Sequence, residues 1–374
     1  MKIVFLARSL GIGGAERQMI LLANGLKAKG HDISIVTFYD HKAEDYQDVT
    51  VPVISLKKGG RWDFTFFNRL VKTIKELSPD IVHGYLTVPN IFSGFLKLRF
   101  SRLNIVWGVR ASNMQLENYD FLAKLCYRLE CVLSRFADLI IVNSSAGYDY
   151  AISNGFKASH MQCIYNGIDT ERFIPNPLAR KEFRSRLGFS EDIILIGVLG
   201  RLDPMKGHSI FFNAASTLVK DFPNIRFLCV GDESLYRQSL KAQICDLGIS
   251  SLVVWISVSE EVEKIYSALD ILCSSSIYGE GFSNVIAEAM ACGVPCVVTD
   301  VGDSKKIVDA LGVVVAPNDS ISLSSGLSEM IQKIQTMNSD DVRQKNRSRV
   351  TNLFSRQKLV ADTESVLELL INKE

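Results

Sequence analysis

The stretch that decides the fold is SSSIYGEGFSNVIAEAMACGVPCVVTD, residues 274–300. It follows an apolar run at residues 270–273 that is typical of a buried strand. The sequence predicts a helix at about residues 283–292, because the Gly-Val-Pro of residues 293–295 commonly ends a helix. A second apolar strand is predicted at residues 296–299. This strand–loop–helix–strand unit indicates an α/β fold and places backbone N–H groups and the positive end of a helix dipole at the loop, where an anion would bind.

Two carboxylates lie near the start of this predicted helix. Glu280 comes just before it, between two glycines, and Glu288 lies well inside it. Both could therefore line one crevice at different depths below a bound phosphate. An isolated pair of acids would more often be two ordinary surface residues on a helix. The flanking glycines, the small helix residues and the Gly-Val-Pro exit together favour a functional site.

This combination resembles the donor-site signature of the retaining nucleotide-sugar glycosyltransferases of family 4 (group 1), a GT-B family with many members in surface-polysaccharide biosynthesis. The resemblance implies that Glu280 holds hydroxyls of the donor sugar and acts in catalysis, and that Glu288 holds the ribose. It also implies that the backbone at the helix start contacts the donor. The residues concerned are Gly281, Phe282, Ser283 and Asn284.

The bulk composition sets broad limits on the function. A chain of 374 residues is long for a single core, which favours two α/β domains. The net charge of +1 argues against a nucleic-acid partner. The eight cysteines include no CxxC pair and no Cys/His cluster at zinc spacing, which favours free thiols in a reducing cytoplasm. No apolar run approaches the ~20 residues that cross a bilayer, so we expect a cytoplasmic protein, with peripheral contact to the membrane as an open option.

The chain opens with an apolar strand at residues 2–7 and the glycine-rich loop GIGGAER at residues 11–17. The loop does not fit a dinucleotide-binding pattern, because Glu16 occupies the position of the third glycine. A tight turn explains Gly11 well, but Gly13 and Gly14 less well. The loop is similar to the one that opens the N-terminal domain in the family, which implies that Gly13 and Gly14 contact the donor diphosphate and that Glu16 lies toward the acceptor.

Two further strands are predicted at residues 80–83 and 104–107, with carboxyl ends at the binding edge of a parallel sheet. His83 and Arg110 would then lie on the acceptor side. A lone histidine such as His83 is more often a capped surface residue than a catalyst. Many family members carry a histidine where this chain has Arg110, and Arg110 could instead bind a phosphate or an acidic sugar.

Basic and aromatic residues alternate at residues 57–77, and residues 96–102 and 124–135 have a similar composition. Two interpretations remain open. The segments could face an anionic membrane, where a lipid-linked acceptor would be presented. They could equally be amphipathic helices that pack their aromatic rings on a sheet.

The second half begins with an apolar run at residues 193–199 that leads into GRLDPMKG, residues 200–207. Arg201 and Lys206 could bind a diphosphate, the arginine through two parallel hydrogen bonds and the lysine as a point charge. A lone arginine and lysine on a loop would normally be solvent-exposed, but this spacing closely resembles the phosphate-binding pair of the family. The resemblance also implies that Ile256, at the end of a later strand, contacts the nucleotide base. Ser257 stands where members usually have glycine, so the base is left open.

The resemblance covers nearly the whole chain and implies the GT-B fold, in which two doubly wound, Rossmann-like parallel sheets face a cleft. We expect an acceptor-binding domain at residues 1–175 and a donor-binding domain at residues 186–356. A final helix at about residues 357–374 would pack back on the first domain. The turn at Asn166-Gly167 and the prolines that follow it support a boundary nearby.

These features predict a retaining transferase that moves a sugar from a UDP- or GDP-linked donor to an acceptor hydroxyl. A lipid-linked saccharide of cell-surface glycan synthesis is the favoured acceptor. No cofactor or metal is expected, because the chain lacks the Asp-x-Asp of metal-dependent transferases. The alternatives are a GT-B nucleotide-sugar epimerase and an inactive GT-B binding subunit. The charged residues of the donor site are all present, which disfavours the inactive subunit. A hydrolase is disfavoured because the chain contains no GxSxG motif. The sequence does not indicate an oligomeric state.

Overall fold

The computed structural model describes residues 1–11, 13–40, 48–60, 63, 65–110, 112, 120–232, 234–257 and 261–372. The chain forms two compact units. Unit 1 comprises Met1–Gly167 together with Arg356–Glu374, and unit 2 is the continuous segment Ile168–Ser355.

Unit 1 is built on a parallel sheet in the order β3-β2-β1-β4-β5-β6-β7. The strands are β1 (Lys2–Ala7), β2 (Asp32–Thr37), β3 (Val53–Ser55), β4 (Ile81–Tyr85), β5 (Asn104–Val109), β6 (Leu139–Val142) and β7 (Met161–Cys163). The helices between them are α1 (Gly14–Ala28), α2 (Phe66–Leu77), α3 (Thr87–Arg99), α4 (Phe121–Leu133) and α5 (Ser145–Ser153). The central strands are largely apolar because helices cover both faces of such a sheet.

Unit 2 repeats this plan, with a parallel sheet in the order β10-β9-β8-β11-β12-β13. Its strands are β8 (Ile194–Leu199), β9 (Ile225–Val230), β10 (Val253–Ile256), β11 (Ile271–Ser274), β12 (Cys296–Thr299) and β13 (Val313–Val315). Its helices are α6 (Pro177–Arg186), α7 (His208–Leu218), α8 (Leu235–Asp246), α9 (Val262–Ala268), α10 (Asn284–Ala291), α11 (Ser304–Val308), α12 (Ser320–Thr336) and α13 (Ser339–Leu353). In each sheet the strand order reverses at one point, between β1 and β4 and between β8 and β11, as in doubly wound folds.

The boundary between the units falls at Gly167, eight residues before the predicted end of the first domain at residue 175. Gln18 on α1 fixes Gly167 through two hydrogen bonds, one to its carbonyl at 2.8 Å and one from its N–H at 2.9 Å. Beyond this point the chain is held by unit 2, since Arg347 donates to the carbonyl of Phe173 at 2.8 Å.

Helix α6 also belongs to unit 2, which therefore starts well before the predicted residue 186. Two of its arginines bind the residue that precedes β11. Arg180 donates to Oδ1 of Asp270 at 2.8 Å, and the fully buried Arg184 donates to Oδ2 at 3.1 Å. Paired with both arginines in this way, the partly buried Asp270 connects α6 to the second sheet.

After unit 2 the chain returns to unit 1 as helix α14 (Arg356–Ile371). Leu359, Val360 and Leu367 are buried in the same hydrophobic cluster as residues of α1 and β1. The approach is close at Gly25 of α1, where an added Cβ would lie 2.3 Å from a methyl carbon of Val360. A glycine at this position lets the two helices pack together.

Helix α2 decides between the two interpretations of residues 57–77. Phe66 is buried, and its ring packs edge-to-face on Phe38 at 4.6 Å and on Phe92 at 5.1 Å. The described aromatic residues of α2 thus belong to the core, as in an amphipathic helix packed on a sheet. Arg61, Trp62 and Phe64 lie outside the described residues. Among the residues that are described, no helix is long and apolar enough to cross a membrane.

Candidate functional site

The candidate site of unit 2 lies where its strand order reverses. Strands β8 and β11 are parallel neighbours there, with Ile196 opposite Ile271. The loop after β8, residues 200–207, and the loop after β11, residues 275–283, therefore leave the sheet at the same edge. In open α/β sheets this is the edge at which ligands bind.

An ion pair joins these two loops. Nζ of Lys206 lies 2.5 Å from Oε1 of Glu280, and the hydroxyl of Ser276 donates to the same oxygen at 2.6 Å. The lysine side chain is 22% exposed and the glutamate side chain 9%. A charge-assisted bond in such a sheltered place is stronger than a neutral one, and it holds the ammonium group at the binding edge.

The backbone around Lys206 is held by hydrogen bonds between the loops. Asp203 caps a 3-10 turn at Pro204–Lys206 by accepting from the N–H of Met205 at 3.0 Å. The hydroxyl of Ser275 donates to the carbonyl of Lys206 at 2.9 Å, and the N–H of Ile277 donates to that of Met205 at 2.7 Å. The side chain of Lys206 therefore projects from a turn whose backbone is fixed.

Two glycines allow the glutamate loop to approach its neighbours closely. Gly207 has a φ of +66°, and an added Cβ would lie 2.0 Å from the carbonyl oxygen of Ser275. Gly302 has a φ of +59°, and an added Cβ would lie 2.4 Å from the carbonyl oxygen of Glu280. Thr299 completes the support by donating to the carbonyl of Ser276 at 2.6 Å. Sequence reasoning missed these supporting residues.

His208 begins α7 directly after Lys206-Gly207 and is almost completely buried. Burial, with a smaller contribution from the charge of Lys206, lowers the pKa of His208 to about 4. The imidazole is therefore neutral at neutral pH and adds no charge beside the lysine. A small depression next to it is lined by Lys206, Ser275, Ser276 and Ser283, among others. Sequence reasoning did not single out His208.

The other predicted cation, Arg201, has a different partner. Its Nη2 lies 3.3 Å from Oδ2 of Asp203, and 72% of its side chain is exposed. The structure therefore does not place it in the pair formed by Lys206 and Glu280. Its role toward a diphosphate stays a prediction.

The second predicted carboxylate, Glu288, is 4% exposed. It is buried within α10, and the hydroxyl of Tyr266 on α9 donates to its Oε2 at 2.9 Å. The two predicted carboxylates thus have separate partners, Lys206 for Glu280 and Tyr266 for Glu288. A role of Glu288 in ribose binding stays a prediction.

The start of α10 matches the predicted anion-binding geometry in part. Ser283 occupies the N-cap position and makes no side-chain capping hydrogen bond, and Asn284 is the first helical residue. The ring of Phe282 packs on Phe354 at 5.1 Å, so this side chain points into unit 2. Any donor contact of Phe282 would therefore come from its backbone. The carbonyl of Gly281 is engaged by the N–H of Asp303 at 3.1 Å.

At the end of β10, the carbonyl of Ile256 accepts from the N–H of Gly231 at 3.0 Å. This bond fixes the end of the strand. It does not test the predicted contact with a nucleotide base.

In unit 1, the glycine-rich loop ends in the N-cap of α1. Gly13 is the N-cap residue and Gly14 the first helical residue. An added Cβ on Gly13 would lie 2.0 Å from Oε2 of Glu16, so this carboxylate folds back over the helix start. An acid three residues after the cap stands where the acid of a capping box would stand, and the acceptor-side role of Glu16 stays a prediction.

His83 is a buried residue of unit 1. Strand β4 continues to Tyr85, so His83 lies inside the strand, fully buried, with its ring 5.1 Å from those of Phe5 and Tyr85. Burial and the charge of Arg110 hold the pKa of His83 well below its usual range. The structure thus places the imidazole in the core of unit 1, and a role of His83 on the acceptor side stays a prediction.

Arg110 does lie at the predicted edge, just after β5. It donates to the hydroxyl of Tyr85 at 2.5 Å and to Oδ1 of Asn166 at 3.3 Å. Tyr85 is the last residue of β4, and Asn166 follows β7 of the same sheet. The guanidinium is therefore held at the carboxyl edge of the sheet of unit 1. Residues 111 and 113–119, which follow it, lie outside the described part.

Comparisons with known proteins agree with this arrangement. A family model described as Glycosyltransferase Family 4 matches residues 12–172, and one described as Glycosyl transferases group 1 matches residues 179–349. The chain is 32% identical to mannosylfructose-phosphate synthase of Agrobacterium fabrum over 331 residues, which cover 77% of this chain and 71% of that protein. The chain belongs to the family 4 glycosyltransferases.

Other relatives of this glycosyltransferase extend the comparison. A Campylobacter jejuni enzyme named N-acetylgalactosamine-N,N'-diacetylbacillosaminyl-diphospho-undecaprenol 4-alpha-N-acetylgalactosaminyltransferase is 24% identical, over 87% of this chain and 88% of its own. The crystal structure of Anabaena HepE in complex with UDP superposes with a TM-score of 0.87 at 24% identity and covers 98% of this chain and 100% of that one. The likeness to HepE, together with the two parallel sheets, identifies the GT-B fold.

Proposed function

We propose that this glycosyltransferase moves a sugar from a UDP-linked donor to a hydroxyl of a lipid-linked saccharide in cell-surface glycan synthesis, with retention of the anomeric configuration. The ion pair between Lys206 and Glu280, at the point where the strand order of unit 2 reverses, is the observation that carries the proposal. It combines a cation suited to a diphosphate with a carboxylate suited to sugar hydroxyls.

The transfer breaks the bond between the anomeric carbon and the diphosphate oxygen and forms a new bond to the acceptor oxygen. Negative charge grows on the departing diphosphate as the sugar becomes oxocarbenium-like. Preorganised positive groups stabilise such charge, and Lys206, Arg201 and the N-terminus of α10 are suited to this task. The proton of the acceptor hydroxyl passes to an oxygen of the departing phosphate on the same face of the sugar.

Glu280 positions the sugar in this scheme and is not the nucleophile. Its contact with Lys206 orients both side chains before the donor binds. Glu288 would bind the ribose of the donor in this scheme. The scheme requires no metal ion, because protein groups provide the positive charge.

The choice of UDP over GDP is supported by HepE, whose structures are described as complexes with UDP and with UDP-glucose. The lipid-linked acceptor is supported by the Campylobacter relative, whose name contains a diphospho-undecaprenol. On the acceptor side we assign Arg110 to an acidic group of the acceptor, such as a phosphate, because its guanidinium is held at the sheet edge by Tyr85 and Asn166.

A thermal-shift screen with UDP, GDP, ADP and their common sugars tests the donor. A nucleotide at ~100 times its dissociation constant adds about 2.7 kcal/mol to stability, which is easily measured. We expect stabilisation by UDP and UDP-sugars, unchanged by EDTA, and a product whose anomeric coupling in the NMR spectrum matches that of the donor. Stabilisation by GDP alone would reassign the base, and loss of the shift in EDTA would contradict metal independence. No response to any nucleotide at millimolar concentration would favour a binding subunit without transferase activity.

A further inference from the structure

Helix α4 presents a row of large apolar side chains to solvent. Phe121 is 80% exposed, Leu125 49% and Val132 53%, with Leu122 and Leu129 also exposed. Residues spaced by three or four lie on the same face of a helix, so these five side chains form one continuous stripe. Soluble proteins seldom leave such a stripe uncovered, and a contiguous apolar patch commonly marks an interaction surface.

The opposite face of α4 fixes the orientation of the helix. Tyr127, Glu130 and Leu133 are buried there. Asn90 on α3 donates to Oε1 of Glu130 at 2.7 Å, and burial raises the pKa of this carboxyl group. Rotating the helix to hide the stripe would expose Tyr127 and Leu133 and break the bond to Asn90. The exposure is thus built into the packing of unit 1.

Cations follow one edge of the stripe. Lys124 and Arg128 are one helical turn apart on α4, and Arg135 continues the row in the turn that follows. Arg128 and Arg135 are exposed, and Nε of Arg135 donates to the carbonyl of Val132 at 2.8 Å, which holds its guanidinium beside the stripe. Asp120 is engaged as the N-cap of the helix, where it accepts from the N–H of Ala123 at 2.7 Å.

An apolar stripe with a cationic edge matches the surface of an anionic bilayer. Apolar side chains of such helices enter the boundary between headgroups and acyl chains, while lysine and arginine contact the lipid phosphates. Helix α2 has a similar composition but buries its aromatic rings, so composition alone does not distinguish the two helices. The two helices differ in exposure, because the apolar stripe of α4 is open to solvent.

We propose that α4 docks unit 1 on an anionic membrane surface, with its axis parallel to the bilayer plane. The inference rests on the proposed function, because a lipid-linked acceptor is presented at such a surface. Docking through α4 brings the sheet edge of unit 1, to which Arg110 belongs, into the vicinity of membrane-anchored acceptors.

Flotation of the full chain with vesicles tests the proposal. We expect binding to vesicles of phosphatidylglycerol and phosphatidylcholine, little binding to phosphatidylcholine alone, and weakening by salt. The variant Phe121→Ser/Leu125→Ser/Leu129→Ser should lose at least about tenfold in binding. The variant Arg128→Gln/Arg135→Gln should lose roughly 25-fold, from about fivefold per charge. Leu178→Ser/Leu235→Ser is the matched control, because these leucines of unit 2 are 81% and 83% exposed, and it should bind like the parent.

Three results would overturn the proposal: no binding by the parent chain, equal binding by the stripe variant, or equal loss in the control. A dimer without lipid that dissociates in the stripe variant would identify a second copy as the occupant instead. The UDP-induced thermal shift of the same variants separates the two proposals. A stripe variant that loses vesicle binding keeps the shift, whereas failure of the donor assignment removes the shift from the parent and leaves vesicle binding intact.

Discussion

Replacing Lys206 with methionine is the sharpest test of the donor site. Methionine keeps much of the length of lysine but removes the ammonium group that contacts Glu280 at 2.5 Å. If this cation stabilises the departing diphosphate, transfer should fall about a hundredfold, which corresponds to ~2.7 kcal/mol at the transition state.

The same change should also lower stability. The side chain of Glu280 is 9% exposed, and of the two partners Lys206 and Ser276 only the hydroxyl of Ser276 would remain. Breaking a fully buried pair from one side costs roughly 3–5 kcal/mol. Lys206 is 22% exposed, so solvent screening reduces the expected loss to about 2 kcal/mol. For a unit of this size the unfolding midpoint should fall by about 5 °C.

The double variant Lys206→Met/Glu280→Gln separates the two effects. A neutral amide no longer needs the cation, so we expect the double variant to regain most of the lost stability while transfer stays low. Such non-additivity is normal for residues in contact. Release of the nucleoside diphosphate measures transfer, and a thermal melt measures stability.

Lys220→Met is the matched control, because this lysine is exposed and lies just after α7. It should leave both measurements unchanged. A rate for Lys206→Met within about threefold of the parent would refute the assigned role, since even one lost electrostatic contact is expected to cost far more.

Three further predictions follow from the structure. Gly207→Ala should destabilise unit 2 by at least about 2 kcal/mol more than Gly248→Ala, because both glycines have φ near +70° but only the first would place its Cβ against another residue; equal melting points would contradict the close packing at Ser275. The pKa of His208 is about 4 in the folded chain against 6.5 ordinarily, so the unfolded chain takes up this proton first as the pH falls, and stability should drop by about 3 kcal/mol between pH 6.5 and pH 4. His208→Gln should remove that part of the slope in melts over this range, and an unchanged slope would show that the histidine is not buried. Arg110→Ala should raise KM for an acidic acceptor about tenfold and leave KM for the donor unchanged, and an equal effect on both would argue for a structural role.

The strands were largely predictable because a buried parallel strand is a continuous apolar run. Strand β1 and strand β12 lie where the sequence predicted them. Strand β4 was predicted to end at His83, but it continues through Gly84 to Tyr85. In the structure this glycine serves packing, because an added Cβ would lie 2.8 Å from Oδ1 of Asn90 on α3. A sequence alone does not show which neighbour requires a small residue.

The candidate site was predictable only where a motif marks it. The motifs singled out Lys206 and Glu280, but their contact with each other depends on two loops that are far apart in the chain. The hydroxyls of Ser276 and Thr299 were not predictable, because serine and threonine occur in many loops and their role depends on the neighbours that folding supplies. The same applies to α4, whose composition resembles that of α2 while its exposure differs.

The discontinuity of unit 1 has a consequence for synthesis on the ribosome. Unit 2 is one uninterrupted segment and can fold once Ser355 has emerged, whereas unit 1 lacks α14 until after that point. At translation rates of roughly 5–20 residues per second, the α1 surface that α14 covers waits on the order of 20–70 s for its partner. Nascent chains stalled after residue 355 should therefore contain a protease-resistant unit 2 and a protease-sensitive unit 1. Equal resistance of both units would show that the first sheet folds without its last helix.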